Sequence, residues 1–429
     1  MIRKSATPFA LLSHLALLAL VSVPASAQRL PTAEPEDVGL SAERLQRIDD
    51  MFEGYARDGR MAGAVGMVLR HGKLVYTGAW GSRDVDAGDP SEADDIFRIA
   101  SMTKPITSVA VMMLYEEGHF FLTDPVGRYL PELAGLPVAN LSEATTADDI
   151  PTERARRPMT IQDLLRHTSG LTYGTFSSSV VDSLYGRTRV QGQPTLEDMI
   201  TQLGEIPLMY QPGTRWHYSV GIDVLGRLVE VVSGQPFDEF LRERIFEPLG
   251  MVDTGFYVPA SKWDRFTRSY IRRGPDGTLT AVDRGSFRQR PTRFSGGGGL
   301  VSTAHDYARF AQMLMNGGEL DGARILGRKT VELMTVDHLP DGIPTSFLQP
   351  GWGFGLGFTV KNEAGMDGMP DPVGTYYWYG IRGTSFWVDP EEDLIGIFMI
   401  QIQTDRERPI RDITFRRQFK RLVYQAVID

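Results

Sequence analysis

Cysteine is absent from all 429 residues. That excludes disulfides, zinc-thiolate sites, iron–sulfur clusters and a cysteine nucleophile. A basic excess is absent as well: 45 Lys and Arg face 54 Asp and Glu, a formal charge of −9. This argues against an electrostatic nucleic-acid binder, which needs a basic footprint. Beyond the N-terminal segment no apolar run is long enough to span a bilayer. Gly-x-Ser-x-Gly does not occur, so a nucleophile elbow is unsupported. His-Glu-x-x-His does not occur either, and the seven His are scattered without metal-ligand spacing. Gly296–Gly299 is a glycine run, but no Gly-Lys-Ser/Thr follows it, so it is not read as a phosphate loop. No internal repeat is present. What remains is ordinary globular usage, 42% hydrophobic and 23% charged, in a length that suits two or three domains or one large one.

Residues 1–27 read as a secretory signal peptide. Arg3 and Lys4 open it, an apolar stretch runs from about Phe9 to Val23, and Ala25-Ser26-Ala27 supplies the small-residue cleavage pattern. An uncleaved anchor is the other reading, but the stretch is short for a spanning helix and Ser13 and His14 interrupt it. Cleavage after Ala27 would take the charge from −9 to −11 and leave a protein with no membrane anchor, expected in a periplasm or outside the cell.

Periodicity outlines the remainder. Ser41 caps a helix stepping through Leu45, Ile48, Phe52 and Tyr55. Ala62–Arg70 and Leu74–Trp80 flank His71-Gly72-Lys73 as a β-hairpin. Ser101–Gly118 is apolar on nearly all sides after its first turn, the mark of a buried helix. Thr160 with Asp163 resembles a capping box for a short helix ending near Gly170. Ile222, Leu225, Leu228, Val229 and Val232 form a stripe closed by Gly234, and Thr303 with Asp306 opens a helix ended by Gly317-Gly318. Strands are expected at Phe354–Val360, Thr375–Tyr379, Thr384–Val388 and Leu394–Gln401, with a turn at Asp389–Asp393 and a terminal helix from about Arg406. Strands at both ends and helices between them predict an α/β fold: one antiparallel sheet built from both termini, with a mostly helical insertion. The α/β part is expected over about 28–118 and 290–429, the insertion over about 119–289. Residues 135–158 and 176–195 read as surface loops. The arginine- and aromatic-rich stretch 258–295 reads as a solvated loop or a flap over a site.

One motif carries chemistry: Ser101-Met102-Thr103-Lys104 at the head of the buried helix. Residues three apart share a helix face, so Lys104 reaches the Ser101 hydroxyl. The helix start adds free N–H groups and partial positive charge. Pro105 is tolerated because first-turn amides lack intrahelical partners. The plain alternative is that Ser101 only caps the helix. Against it, an unpaired ammonium heading an apolar helix is costly.

Phe97-Arg98-Ile99-Ala100-Ser101-Met102-Thr103-Lys104 resembles the nucleophile motif of the serine β-lactamase and penicillin-binding-protein superfamily, closest to its class C β-lactamase-like, or family VIII, esterases. Matching stretches follow in order: Leu164–Leu171, Trp216-His217-Tyr218-Ser219, Pro248–Met251, Gly296–Thr303 and Gly383–Pro390. The resemblance covers nearly all of residues 28–429 and implies the β-lactamase/transpeptidase-like fold. It implies Ser101 as acylated nucleophile, Lys104 as proton acceptor or relay, and Tyr218 as the tyrosine of the Tyr-x-Asn motif. Trp378-Tyr379-Gly380 falls where lactamases carry Lys-Thr-Gly, so the backbone N–H groups of Ser101 and Ile381 would form the oxyanion hole. His167 and Ser169 read as structural, His217 as a pocket-lining residue, and Trp378 equally as a packing residue. Free Lys and Tyr titrate near ~10.4 and ~10, so acting as a base near neutrality requires a drop of about three units, roughly 4 kcal/mol. Which of Lys104 and Tyr218 is the base stays open, because a coupled pair titrates as a unit.

Two departures bear on substrate. Val220 replaces the asparagine of Tyr-x-Asn and cannot hydrogen-bond a substrate amide. Trp378 replaces the lysine that would hold a substrate carboxylate. With Gly380, these are the expected substrate-binding positions. Both departures favour a neutral, apolar ester, although Arg382 or an arginine from 266–293 would restore a cation. The expectation is a secreted serine hydrolase of small-molecule carboxylic esters, with no metal or organic cofactor and no nucleic-acid partner. The rivals are a β-lactamase or D-Ala-D-Ala carboxypeptidase, an acyltransferase, and a non-catalytic peptidoglycan-binding or self-assembling protein. The sequence carries no signal for an oligomeric state.

Overall fold

The computed structural model describes residues 29–273, 278–282, 285–345, 348–404 and 413–429. The expected signal peptide, residues 1–27, and the expected start of the terminal helix at Arg406 lie outside them. The hairpin Gly63–Arg70 (β1) and Lys73–Asp84 (β2) forms as its turn signal requires, and Asp89–Pro90 (β3) extends it. Five strands come from the far end of the chain: Trp352–Phe354 (β4), Thr359–Lys361 (β5), Tyr376–Tyr379 (β6), Ser385–Asp389 (β7) and Leu394–Ile400 (β8). They join in one sheet of order β4-β5-β6-β7-β8-β1-β2-β3. Every pairing is antiparallel, and the seam between the chain's two ends is β8 on β1, with Ala64 opposite Ile400 and Arg70 opposite Leu394.

Strand side chains alternate between faces, and this sheet is buried on both. Leu394, Phe398 and Ile400 pack on one side with Leu45, Ile48 and Phe52 of the helix Ala42–Arg57 (α1) and with Phe419 and Val423 of Ile413–Tyr424. Ile395, Ile397 and Met399 pack on the other, with Thr103–Glu116 (α2) and the helix Ala304–Met315. At about 2 kcal/mol for each large apolar side chain fully buried, the two clusters account for a near-continuous β8. The helix α2 runs through the larger cluster, buried from Thr103 to Leu114, as its apolar sequence requires.

Two loop readings are corrected. Val180–Arg187 is a two-turn helix capped by Ser179, burying Val181 and Tyr185 four residues apart; one short stripe in a polar setting was too little to stand out. Within 258–295, Ser269–Arg273 and Thr278–Val282 form a hairpin, and Ile402–Thr404 pairs with it in parallel. The hairpin part of this stretch is therefore not a loop, while Arg293 and Ser295 at its far end line a cavity.

The expected capping box does more than start its helix. Asp163 is fully buried and accepts hydrogen bonds from the Thr160 amide, the Thr160 and Thr168 hydroxyls, Arg157 and Arg166. It thereby ties down the turn that leads to His167 and Tyr173. Burial raises the Asp163 carboxyl pKa, but Arg157 and the Thr160 amide more than offset this and hold it below the ordinary carboxylate range. Its stabilisation is therefore full above the unfolded-state value and lost as pH falls through the folded-state value. Asp163→Asn is expected to cost about 3 kcal/mol in denaturant unfolding near pH 7, because Arg157 and Arg166 lose their charge partner. The variant should also lose part of the acid sensitivity.

Candidate active site

The chain enters the site from the short strand Phe97–Arg98, paired with Val301–Ser302. Ala100 adopts φ 45°, a region non-glycine residues rarely occupy. A single helical turn over Ala100–Met102 then leads into α2. This strained step presents Ser101 at the wall of a cavity of about 570 Å³.

Lys104 sits beneath Ser101, only 1% exposed. Its Nζ donates to the Gly297 carbonyl at 2.6 Å and the Tyr173 hydroxyl at 2.9 Å, and lies 3.3 Å from Ser101 Oγ. Burial pulls its pKa down to about 7, with only partial recovery from the Asp223 carboxylate. Asp223 lies in the first turn of Gly221–Ser233 (α3) and accepts from Ser295 Oγ and the Gly297 amide. The glycine run thus has a steric reason: a Cβ on Gly297 would lie 2.3 Å from the Asp223 carboxylate.

Tyr218 is the third expected member. Its ring lies 4.6 Å from Lys104 Nζ, and it lines the cavity with Ser101. Burial pushes its pKa well above the ordinary phenol value, more than Ser101 and Trp378 pull it back. Trp378 combines both readings given to it. It is buried, packs against Tyr218 at 5.5 Å and Phe354 at 5.4 Å, and lines the cavity.

Two expected substrate-binding residues are displaced from that role. Val220 is fully buried in the core at the N-terminal end of α3 and does not line the cavity. Gly380 also stands behind the cavity wall. It leaves room for the Ile99 carbonyl, which a Cβ would approach to 2.5 Å, and so lets the end of β6 abut the nucleophile segment. Ile381 beyond it borders the cavity, with its side chain in solvent. His167 has φ 58°, its carbonyl accepts the His217 amide, and its ring accepts the Ser219 amide. Burial, then Lys104 and His217, hold its pKa well below the usual histidine value. His217 is buried on Thr172 and lies outside the cavity lining.

Sequence reading missed Tyr173 and Asp223; Arg293 is the last arginine of the 266–293 stretch that it named as a possible cation. The first two contact or face Lys104, and all three line the cavity. Tyr173 lies two residues beyond the quoted motif that ends at Leu171, so a signal was at hand. Phe176 and Gln191 also line the cavity, so the polar stretch 176–195 supplies part of its wall. Arg382 does not: it is turned to Gln403 and lies outside the lining.

The beta-lactamase family model matches residues 48–419. An uncharacterized protein from Mycobacterium tuberculosis is 41% identical, covering 80% of this chain and 86% of its own. Esterase EstB from Burkholderia gladioli is 33% identical over 83% of this chain and 90% of its own. Among solved structures, EstCE1, described as a hydrolase with promiscuous acyltransferase activity, superposes with a TM-score of 0.74. It is 26% identical and covers 89% of this chain and 99% of its own. A family match over most of the chain, named esterase relatives and a matching fold agree on one assignment: this chain belongs to the beta-lactamase family and is a serine hydrolase.

Proposed function

We propose that the protein hydrolyses small carboxylic esters through an acyl-enzyme on Ser101, with Lys104 as the base. The observation that carries this reading is the environment of Lys104. A neutral amine has two N–H bonds and one lone pair. The Gly297 carbonyl and Tyr173 oxygen take the two N–H bonds, leaving the lone pair for the Ser101 proton. With its pKa near 7, Lys104 is matched to proton transfer at neutral pH. Tyr218, held neutral by burial, is suited to donate a proton and not to act as the base. The amides of Ser101 and Ile381 are the oxyanion donors in this reading, each contributing about 3 kcal/mol. Water then hydrolyses the acyl-enzyme. Tyr173, Phe176, Trp216, Tyr218, Leu348, Trp378 and Tyr379 give the cavity an apolar, aromatic lining, which supports a neutral ester. The leader-like residues 1–27 support action in a periplasm or outside the cell; among the described residues no helix is long and apolar enough to cross a membrane.

Arg293 favours a second reading. It lines the cavity, and its one polar contact among the described residues is the Met199 sulfur at 4.0 Å. A carboxylate-bearing substrate, such as a lactam or a peptide ending in a free carboxylate, would find a cation there.

The test compares p-nitrophenyl butyrate with a chromogenic cephalosporin, using the wild type and Arg293→Gln. Ester turnover far above lactam turnover, unchanged in Arg293→Gln, is expected. Preference for the cephalosporin, lost about 10-fold or more in Arg293→Gln as befits a charge-assisted contact, would overturn the neutral-ester reading.

A further inference from the structure

We propose that His167 is a positioning residue that fixes Tyr218 by holding the backbone on both sides of it, a role that rests on the acyl-enzyme reading above. Tyr218 lies in no helix or strand, so contacts from elsewhere must hold its ring beside Lys104. His167 supplies two holds on the backbone. Its carbonyl accepts the His217 amide at 2.9 Å. Its ring Nδ1 accepts the Ser219 amide at 3.3 Å, and the Ser219 hydroxyl lies 3.3 Å from the same nitrogen. The ring also packs on Tyr218 at 4.7 Å between centroids and on Phe354 of β4 at 5.4 Å. One residue thus grips the tyrosine before it, after it and at its side chain.

Histidine is a costly choice for a mere turn. His167 follows the helix Ile161–Leu165 and its cap Arg166, at φ 58°. That place favours glycine or asparagine, because a β-carbon crowds the left-handed backbone. Accepting the Ser219 amide requires a bare Nδ1, which puts the proton of the neutral ring on Nε2. Nε2 is buried and has no hydrogen-bond partner among the described residues, which is a second cost. Costs of this kind are kept where a site needs the geometry, and the geometry fixed here is that of Tyr218.

The hold works only while the ring is neutral, since a protonated Nδ1 donates and would repel the Ser219 N–H. The surroundings keep it neutral. His167 is 1% exposed. It faces Lys104 from α2, Trp216, His217 and Tyr218 from the segment before α3, and Phe354 from β4. Burial, then the nearby Lys104 and His217, oppose a further positive charge there. The Tyr218 ring also lies 4.6 Å from Lys104 Nζ, so it packs on both the base and the histidine.

Two substitutions separate the hold from simple packing. His167→Phe keeps a ring of similar size and deletes the acceptor. His167→Asn restores an acceptor near the Nδ1 position and suits the left-handed backbone. In the acyl-enzyme reading Tyr218 gives the proton that the alkoxide leaving ethyl butyrate needs; the p-nitrophenolate leaving p-nitrophenyl butyrate needs none. His167→Phe is expected to lose about 100-fold in kcat on ethyl butyrate with KM unchanged, the effect of misplacing a reacting group by about 1 Å. On the p-nitrophenyl ester it should lose only a few-fold, and His167→Asn should recover most of the loss on both. Equal losses on the two esters, or an Asn variant as slow as the Phe variant, would overturn the proposal. Hydrogen exchange keeps two failures apart. If the wild type cleaves neither ester, the esterase reading fails, while amide exchange at Ser219 still decides the hold. Exchange that is faster in His167→Phe and restored in His167→Asn supports it, and exchange unchanged in both rejects it. If His167→Phe does not fold, nitrogen-15 NMR reads the ring in the wild type. A bare Nδ1 and a protonated Nε2 that persist down to about pH 5 support the hold, and a proton on Nδ1 rejects it.

Discussion

Ser101→Ala is expected to lower ester kcat/KM by roughly 10⁴- to 10⁶-fold. The loss is this large because the hydroxyl is the atom to be acylated, and neither Lys104 nor Tyr218 replaces it. Some rate above that of water should survive, since the backbone amides proposed as oxyanion donors are untouched. The fold should be unaffected: the deleted oxygen contacts Lys104 at 3.3 Å and supports no backbone element. Steady-state kinetics beside an unfolding curve checks both halves. Activity surviving at wild-type level would remove Ser101 from the mechanism.

Lys104→Met should separate activity from stability. Activity should fall about 10³-fold or more, because the base is gone. In the wild type, kcat/KM should rise with pH about a midpoint near 7, the value to which burial brings the Lys104 amine. That limb should vanish in the variant. Stability should move the other way. The folded-state pKa lies well below the ordinary lysine value, so the unfolded chain holds an extra proton between about pH 7 and about 10.4. Wild-type stability therefore rises with pH across that window and is lowest, as far as this group is concerned, below it. Methionine fills similar space without a charge to bury. The variant should be at least as stable as the wild type at pH 6 and should lack the rise. A Lys104→Met protein that retains the pH limb would point to another base.

The architecture was legible because its signals are local. The hairpin turn at His71-Gly72, the all-round apolarity of α2 and the near-continuous apolar runs of β7 and β8 each fix an element, and the strands lie at the two ends of the chain. Ser101 and Lys104 were legible for the same reason, since their spacing places both on one helical face. The rest of the site is assembled from distant segments, and no periodicity announces it. Tyr173 follows a capping-box turn, Asp223 opens α3, and Arg293 precedes the glycine run. Each meets Lys104 or the cavity only after the helical segments fold against α2. Val220 misled for a related reason. Matching its position beside Tyr218 says nothing of where a side chain points, and at the start of α3 it turns into the core. Gly380 misled because its value is steric: it makes room for the Ile99 carbonyl and not for a ligand.

The most direct test of the central claim is to label the protein with a fluorophosphonate across pH 5 to 10 and locate the adduct by peptide mass spectrometry. The expected result is one adduct, on Ser101, formed at a rate that rises about a midpoint near 7 and loses that dependence in Lys104→Met. An adduct on another serine, or an unlabelled Ser101 in a protein that still turns over esters, would contradict it.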